Sequence, residues 1–246
     1  MSLPLIRHCG SITLCFLLPS LVIAFLTYIV VGCSAFFWLL SLMLSSLVWA
    51  AIPPLHASAR GWAIVPVGVI VQELARALFL RLYFRAERSF SVVSINAIVF
   101  PLVDLWSGVA AGAGYGAVQT FVYYAPILAH ALGPGVLYSG HCSALSAFAS
   151  GAWTAFLFNV LHILLMILAF DAYRQPRARP LRVAAVVLLH FAAASFTILN
   201  NIDEGCVMAL PLIAGVVVVA AVWTVLVTHR PDYRSSKDRR GAYRPL

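Results

Sequence analysis

The sequence predicts an all-α membrane protein, a bundle of seven transmembrane helices with its N-terminus lumenal or extracellular and its C-terminus cytosolic. Three observations predict this fold: the apolar composition, the repeated long hydrophobic runs and the distribution of basic residues among the loops. Hydrophobic residues make up 63% of the 246 residues and charged residues only 10%, with a mean hydropathy of +0.97. Because a soluble domain carries about 25% charged residues, lipid is the main solvent for this chain.

The hydrophobic runs are long enough to cross a bilayer as helices. A hydrocarbon core of about 30 Å requires roughly 20 apolar helical residues. Each run is apolar throughout, which favours helices over the alternating strands of a barrel. Residues 1–228 therefore form one transmembrane domain, and residues 229–246 form a basic cytosolic tail. The predicted spans are 9–31, 34–52, 61–84, 100–128, 143–169, 181–200 and 206–228.

Basic residues gather on one side of the membrane when the loops are placed alternately on its two faces. Only Arg7 and Arg60 fall on the opposite side. Cytosolic loops carry an excess of Lys and Arg, so the basic side is cytosolic and an odd number of spans places the N-terminus across the membrane. The net charge of +8 thus reflects orientation and does not indicate a nucleic-acid partner. The basic side holds Arg81, Arg85, Arg88, Arg174, Arg177, Arg179, Arg182, Arg230, Arg234, Lys237, Arg239, Arg240 and Arg244.

The cysteines show no CxxC or metal-ligand spacing, and most lie in or beside apolar runs. Free thiols embedded in the membrane are therefore predicted, and no metal or other cofactor is expected. The first span has some features of a cleaved signal peptide, but its length favours a retained helix. The cysteines are Cys9, Cys15, Cys33, Cys142 and Cys206.

Polar residues inside the predicted spans are few, and each needs a partner because a charge at the bilayer centre costs about 3 kcal/mol on insertion scales. Glu73 and Arg76 in span three share one helical face. They form either a self-neutralised pair near the cytosolic end or part of a polar cluster in the bundle interior. Asn159 and His162 lie in span five and His190 in span six. Each histidine is either a satisfied interior residue or part of a pocket shared with the other histidine and with Glu73.

Small residues form a ladder along span four. Gly108, Gly112 and Gly116 repeat every four residues, which strings two GxxxG units along one face and admits a close neighbouring backbone. That neighbour is either a helix of the same bundle or a helix of a different subunit. Asp104, near the start of the span, is predicted to be a cap or an interfacial charge. Residues 131–136 carry the glycine and proline signals of a turn on the non-cytosolic side.

Several short segments are weak alone but specific in their order and spacing. They are residues 34–39 and 48–49, Gln72 with Glu73, the glycine ladder, residues 131–135, His162, residues 170–172, His190 and residues 196–200. Together they resemble the anterior pharynx-defective (Aph-1) family of subunits of gamma-secretase, a multi-subunit intramembrane protease. The resemblance runs from about residue 34 to residue 228.

The resemblance implies a non-catalytic scaffold that binds nicastrin early in assembly and then supports presenilin and presenilin enhancer. Presenilin carries the catalytic aspartates of that complex. The implied location is the membrane of the endoplasmic reticulum, Golgi, endosomes and cell surface. Gly108, Gly112 and Gly116 match the family's packing ladder, and His162 and His190 match its two intramembrane histidines, which support assembly and activity. The loop after span three is shorter than in the family, so contacts through that loop are not carried over.

The family resembles, more distantly, the membrane-embedded CAAX-processing glutamic proteases, which supplies an enzyme alternative. Those proteases use an EExxxR pattern, an FxxxH element and a later histidine. Residues 158–162 keep FxxxH, and His190 stands where the later histidine would be. Gln72 replaces one glutamate, and Arg76 stands one position too early. Glutamine is no general base at neutral pH, so the sequence predicts a degenerate site; the alternative is a hydrolase that uses Glu73 and the two histidines.

Overall fold

The computed structural model describes residues 12–51, 57–93, 104–130, 138–139, 142–175 and 178–229. Six long helices dominate these residues, and a 3-10 turn at Thr197–Asn201 extends the fifth. The predicted turn at 131–136, the first eleven residues and the tail from residue 230 lie outside the described residues. The helices are α1 (Ile12–Ala51), α2 (Ala57–Val93), α3 (Asp104–Ala129), α4 (Ala147–Arg174), α5 (Arg179–Phe196) and α6 (Gly205–Thr228).

The described helices have the length and composition of a membrane protein. Four segments are long and apolar enough to span a bilayer: Ile23–Ala51, Ala147–Arg174, Arg179–Asn201 and Gly205–Thr228. Large hydrophobic side chains are exposed on the outside of the bundle, as lipid-facing residues are. The predicted helical membrane fold is therefore confirmed at this level.

The first two predicted spans, 9–31 and 34–52, form one continuous helix in the described residues. α1 has 40 residues, which makes it about 60 Å long at the usual rise per residue. The predicted break fell between residues 31 and 34, where Gly32 lies, but a lone glycine costs only about 1 kcal/mol inside a helix. No proline lies between residues 20 and 51, and Ser34 Oγ donates to the carbonyl of Val31 at 2.9 Å within the helix. Local signals at this point are therefore too weak to end the helix.

A short hairpin precedes α4 and was not predicted. β1 (Tyr138–Ser139) pairs antiparallel with β2 (Cys142–Ser146), and α4 begins directly after β2. Ser146 caps α4, because its side chain accepts a hydrogen bond from the backbone N–H of Ala149 at 3.2 Å. The predicted span at 143–169 therefore begins about four residues later as a helix.

α3 and α4 form the centre of the bundle. α3 packs between α1 and α4, while α4 also contacts α5 and α6, and α2 contacts α1 and α5. One apolar cluster joins α1, α2, α3 and α4 around Phe79, Tyr115 and Phe170. A second cluster joins α4, α5 and α6 around Leu165 and Ile213. This packing places α2, α3, α4 and α5 around one buried polar centre.

Candidate functional site

Four ionisable side chains from three helices meet in the interior of the bundle. Arg76 Nη1 donates to Glu73 Oε1 at 2.6 Å, and His190 Nδ1 lies 2.6 Å from the same oxygen. Arg76 Nη2 lies 3.1 Å from His162 Nδ1. Arg76, His162 and His190 are each at most 2% exposed. We call Glu73, Arg76, His162 and His190 the ionic cluster.

Aromatic contacts enclose the ionic cluster. The rings of His162 and His190 pack edge to face with centroids 5.1 Å apart. Tyr115 of α3 lies 5.2 Å from the His162 ring and 5.2 Å below the Arg76 guanidinium. Its hydroxyl donates to the backbone carbonyl of Gln72 at 2.8 Å, so α3 is tied to α2 as well. Sequence reasoning missed Tyr115, although a large aromatic residue between two glycines was a usable signal.

The hydrogen-bond pattern fixes the proton positions in the cluster. An arginine can only donate, so His162 Nδ1 accepts from Arg76 and the ring proton of a neutral His162 is on Nε2. Nε2 has no hydrogen-bond partner among the described residues. The carboxylate of Glu73 accepts from His190, whose Nδ1 therefore carries a proton. Glu73 and Arg76 neutralise each other, and the two histidines extend the pair to α4 and α5.

This arrangement decides between the two interpretations of the Glu73–Arg76 pair. The pair is not isolated at a helix end, because it contacts histidines of two other helices. A buried ion pair gains little net stability over apolar packing, because desolvation offsets the Coulomb attraction. Leaving one member without the other is strongly destabilising. The cluster therefore links α2 to α4 and α5 through paired polar groups.

The glycine ladder of α3 packs against α4 of the same chain. A Cβ added at Gly112 would lie 2.4 Å from the Cα of Ile163, and one at Gly108 would lie 3.0 Å from the Cα of Ile167. Gly116 faces Asn159, whose Oδ1 would be 2.4 Å from such a Cβ. The sequence left open whether this face meets a helix of the same bundle or a helix of another subunit. In the structure it meets α4 of the same bundle.

Asn159 lies at the glycine ladder and not in the ionic cluster. It is one turn before His162 on α4, and its Oδ1 has no hydrogen-bond partner among the residues that the structure describes. Gly114, on another face of α3, meets α1: an added Cβ would lie 2.3 Å from both Ser34 Oγ and the carbonyl oxygen of Val31. α3 is thus held closely on two faces at once.

Charged residues at the end of the bundle where α2 and α4 finish are paired across helices. We call this the basic end. Arg174 donates to Asp104 at 2.6 and 2.9 Å and to Glu87 at 2.7 and 2.8 Å. The guanidinium of Arg182 pairs with Asp171. Asp104, predicted to be a cap or an interfacial charge, thus joins α3 to α4 and to the end of α2.

Two of the five cysteines form a disulfide, so the prediction of free thiols is wrong for this pair. Cys142 of β2 and Cys206 of α6 are bonded, with their Cα atoms 6.0 Å apart. They are separated by 64 residues, and no local spacing reveals that β2 and the start of α6 lie together. Cys33 is free and exposed, whereas Cys9 lies outside the described residues and the side chain of Cys15 is also undescribed.

Comparison with known proteins agrees with the resemblance found in the sequence. The family model for the Aph-1 protein matches residues 11–231. The gamma-secretase subunit APH1-like of Arabidopsis thaliana is 30% identical over 186 residues, covering 73% of each chain. The gamma-secretase subunit Aph-1b of Danio rerio is 29% identical over 199 residues, covering 78% of this chain and 74% of its own. The gamma-secretase subunit Aph-1 of Drosophila melanogaster is 28% identical over 172 residues, covering 70% and 69%. The chain belongs to the Aph-1 family.

Proposed function

We propose that this chain is a non-catalytic scaffold subunit of a gamma-secretase complex. The observation that carries the proposal is the family match across residues 11–231, together with relatives that are named gamma-secretase subunits. The proposed partners are nicastrin, presenilin and presenilin enhancer, within membrane lipid. The proposed locations are the endoplasmic reticulum, Golgi, endosomes and cell surface.

The proposal of a non-catalytic subunit is supported by how the ionic cluster uses its groups. A general base needs a lone pair directed at the proton that it removes. One oxygen of Glu73 accepts from both Arg76 and His190, and His162 Nδ1 accepts from Arg76. The paired glutamate of the hydrolase pattern is replaced by Gln72. These residues hold helices together and leave few free acid or base groups for water activation.

An intramembrane hydrolase remains the second candidate, because Glu73, His162 and His190 do converge in one place. The test is incubation of the purified chain with a prenylated peptide or a transmembrane peptide in the absence of presenilin. Cleavage that is lost in Glu73→Gln would establish the hydrolase. Intact substrate with a correctly folded chain is the result that we expect.

Removal of both histidines should impair assembly of the complex. In the double variant His162→Ala with His190→Ala, Arg76 loses its acceptor on α4 and Glu73 loses its donor on α5. We expect a several-fold loss of nicastrin and presenilin recovered with the tagged chain from mild-detergent extracts.

The matched control for the double variant is His130→Ala, because His130 is exposed at the end of α3. Recovery of all partners from the double variant at the level of this control would contradict the assembly role of the cluster. Repeated recovery of the unaltered chain without any partner would contradict the proposed function itself.

The proposed orientation has seven crossings, with the N-terminus outside the cytosol and the C-terminus inside. The Arg-rich loops and tail support a cytosolic C-terminus. The 40 residues of α1 are about two crossings' worth of apolar chain, so seven crossings require this continuous helix to reverse near Gly32 in the bilayer. Six crossings would leave every loop on the same side and move only the N-terminus.

Glycosylation acceptor tags at the two termini separate these two orientations. With seven crossings, the N-terminal tag is glycosylated and the C-terminal tag is not. If neither tag is glycosylated while a tag in the loop at 131–136 is, α1 crosses once and the chain has six crossings.

A further inference from the structure

The end of the bundle opposite the basic end carries a covalent connection between the hairpin and the last helix. The disulfide between Cys142 and Cys206 joins β2 to the first turn of α6, and both residues are buried. The segment between them contains α4 and α5 in full. The bond therefore closes a loop around the helices that supply His162 and His190 to the ionic cluster.

Hydrogen bonds beside the disulfide make the same connection. The backbone N–H of Ser143 donates to Glu204 Oε1 at 3.3 Å, and Ser143 Oγ donates to the same oxygen. Ser143 directly follows Cys142, and Glu204 lies two residues before Cys206. The contact between β2 and the start of α6 is thus built from a covalent bond and two polar contacts.

The turn that precedes α6 has a specialised backbone. Glu204 has φ 56°, in the left-handed region that non-glycine residues rarely adopt. At Gly205, an added Cβ would lie 1.9 Å from the carbonyl oxygen of Leu199, so only glycine fits there. The side chain of Glu204 is held by Ser143 and not by a cap of its own helix. The hairpin therefore helps to hold the turn in place.

We propose that the Cys142–Cys206 disulfide is a staple formed on the non-cytosolic side, which holds the hairpin on α6 and keeps α4 seated between α3 and α6. Disulfides persist in oxidising compartments and are rare in the cytosol. The charge pattern independently places the hairpin on the side opposite the Arg-rich loops. The side of the staple rests on the proposed orientation, but its existence does not rest on the proposed role in gamma-secretase.

The chemistry of formation is thiol–disulfide exchange with a protein disulfide oxidoreductase of that compartment. One cysteine thiolate attacks the disulfide of the oxidoreductase and forms a mixed disulfide, releasing one thiol of that enzyme. The second cysteine thiolate then attacks the mixed disulfide and releases the other. The chain loses two protons and two electrons, and the oxidoreductase leaves as a dithiol. Reduction by an excess of dithiol reverses both steps.

The competing use of the same residues is a metal site. The ligand atoms of Cys142, Glu204 and Cys206 lie within 4.8 Å of one another. Two thiolates and a carboxylate are ligands that Zn²⁺ accepts. The two uses exclude each other, because a disulfide leaves no thiolate to bind a metal. The state of the two thiols in the native protein therefore decides between them.

The test measures thiol state and side of the membrane in sealed vesicles that contain the full chain. A Cys33→Ser background removes the described free thiol, and a polyethylene glycol maleimide that does not cross the membrane is the probe. Because Cys9 and Cys15 remain, the Cys142→Ser with Cys206→Ser variant in the same background gives the reference labelling. We expect no labelling of Cys142 and Cys206 before reduction, and two added chains per protein after reduction from the non-cytosolic side.

Stability and exposure of the hairpin give the second readout. Removing the staple, by substitution or by reduction, should speed protease cleavage within residues 138–146 several-fold and lower the temperature at which the extracted protein aggregates. Ser143→Ala, which keeps the disulfide and removes one side-chain hydrogen bond, should have a smaller effect. Equal cleavage with and without the staple would overturn its holding role.

Three outcomes overturn the staple. The first is labelling of both cysteines before reduction, and the second is labelling after reduction only from the cytosolic side. The third is protection of free thiols by added Zn²⁺, which would favour the metal site. Failure here is distinguishable from failure of the proposed function. Partners that still co-purify with a chain lacking the disulfide leave the subunit role intact, whereas a stapled chain without partners removes that role alone.

Discussion

Arg76→Met is expected to remove most of the folded protein from the membrane. The substitution keeps the length and apolar stem of the side chain but leaves the Glu73 carboxylate with His190 as the hydrogen-bond donor that the structure gives it. It also removes the donor to His162 Nδ1 and the cation over the Tyr115 ring. Breaking a buried pair by removing one partner costs about 3–5 kcal/mol, a large part of the stability of a typical protein.

The Arg76→Met effect is measured as the yield of membrane protein and as the fraction of extracted protein that elutes as a single species. The matched control is Arg81→Met, because Arg81 is exposed on the same helix. The charge-balanced double variant Glu73→Gln with Arg76→Met should recover much of the loss, since no charge is then buried alone. If the double variant is as damaged as the sum of the two single variants, the charges do not depend on each other and the account of the cluster is wrong.

Gly112→Ala is expected to separate α3 from α4. The new methyl group would lie 2.4 Å from the Cα of Ile163 and 3.1 Å from the carbonyl oxygen of His162. Both contacts are with backbone, so no side-chain rotation relieves them and the two helices must move apart. Overpacking of a filled interior costs about 1–3 kcal/mol and occasionally more, and a leucine at the same position should be worse.

Gly215→Ala is the matched control for Gly112→Ala. It makes the same chemical change inside α6, at a position where an added Cβ meets nothing within 4 Å. There the change should be neutral or slightly stabilising, because alanine is the better helix former. The readout is the aggregation temperature of the extracted chain, with membrane insertion checked by alkaline extraction. Equal temperatures for the two variants would show that the ladder is not closely packed.

The positions of the helices were largely predictable from the sequence, because hydrophobic length is a local property. Span 206–228 differs from α6 by one residue at its start, and span 61–84 lies wholly within α2. The Arg-rich segments that follow spans three and five lie at one end of the bundle, where Arg174 pairs with Glu87. The family was predicted correctly from short segments, and the match over residues 11–231 confirms it.

The remaining features depend on contacts between distant parts of the chain. Glu73, His162 and His190 were candidates on sequence grounds, but the link between them through Arg76 depends on how α2, α4 and α5 are seated. Tyr115 was overlooked because the sequence does not show that its hydroxyl reaches the Gln72 carbonyl on another helix. The bonded cysteines were misjudged for the same reason. The predicted break between spans 9–31 and 34–52 is absent from α1, because one glycine is a weak signal against a long apolar run.

The double confinement of α3 limits what a neighbouring protein can touch. With α4 against the ladder and α1 against Gly114, these glycines of α3 already contact other helices of the same chain, and an incoming helix meets larger outer side chains such as Phe121 or Leu188. If a substitution at one of these glycines abolishes partner recovery, the first explanation is therefore disrupted helix packing within this subunit. Docking itself has to be mapped by changes on the bundle's perimeter that leave the isolated subunit intact.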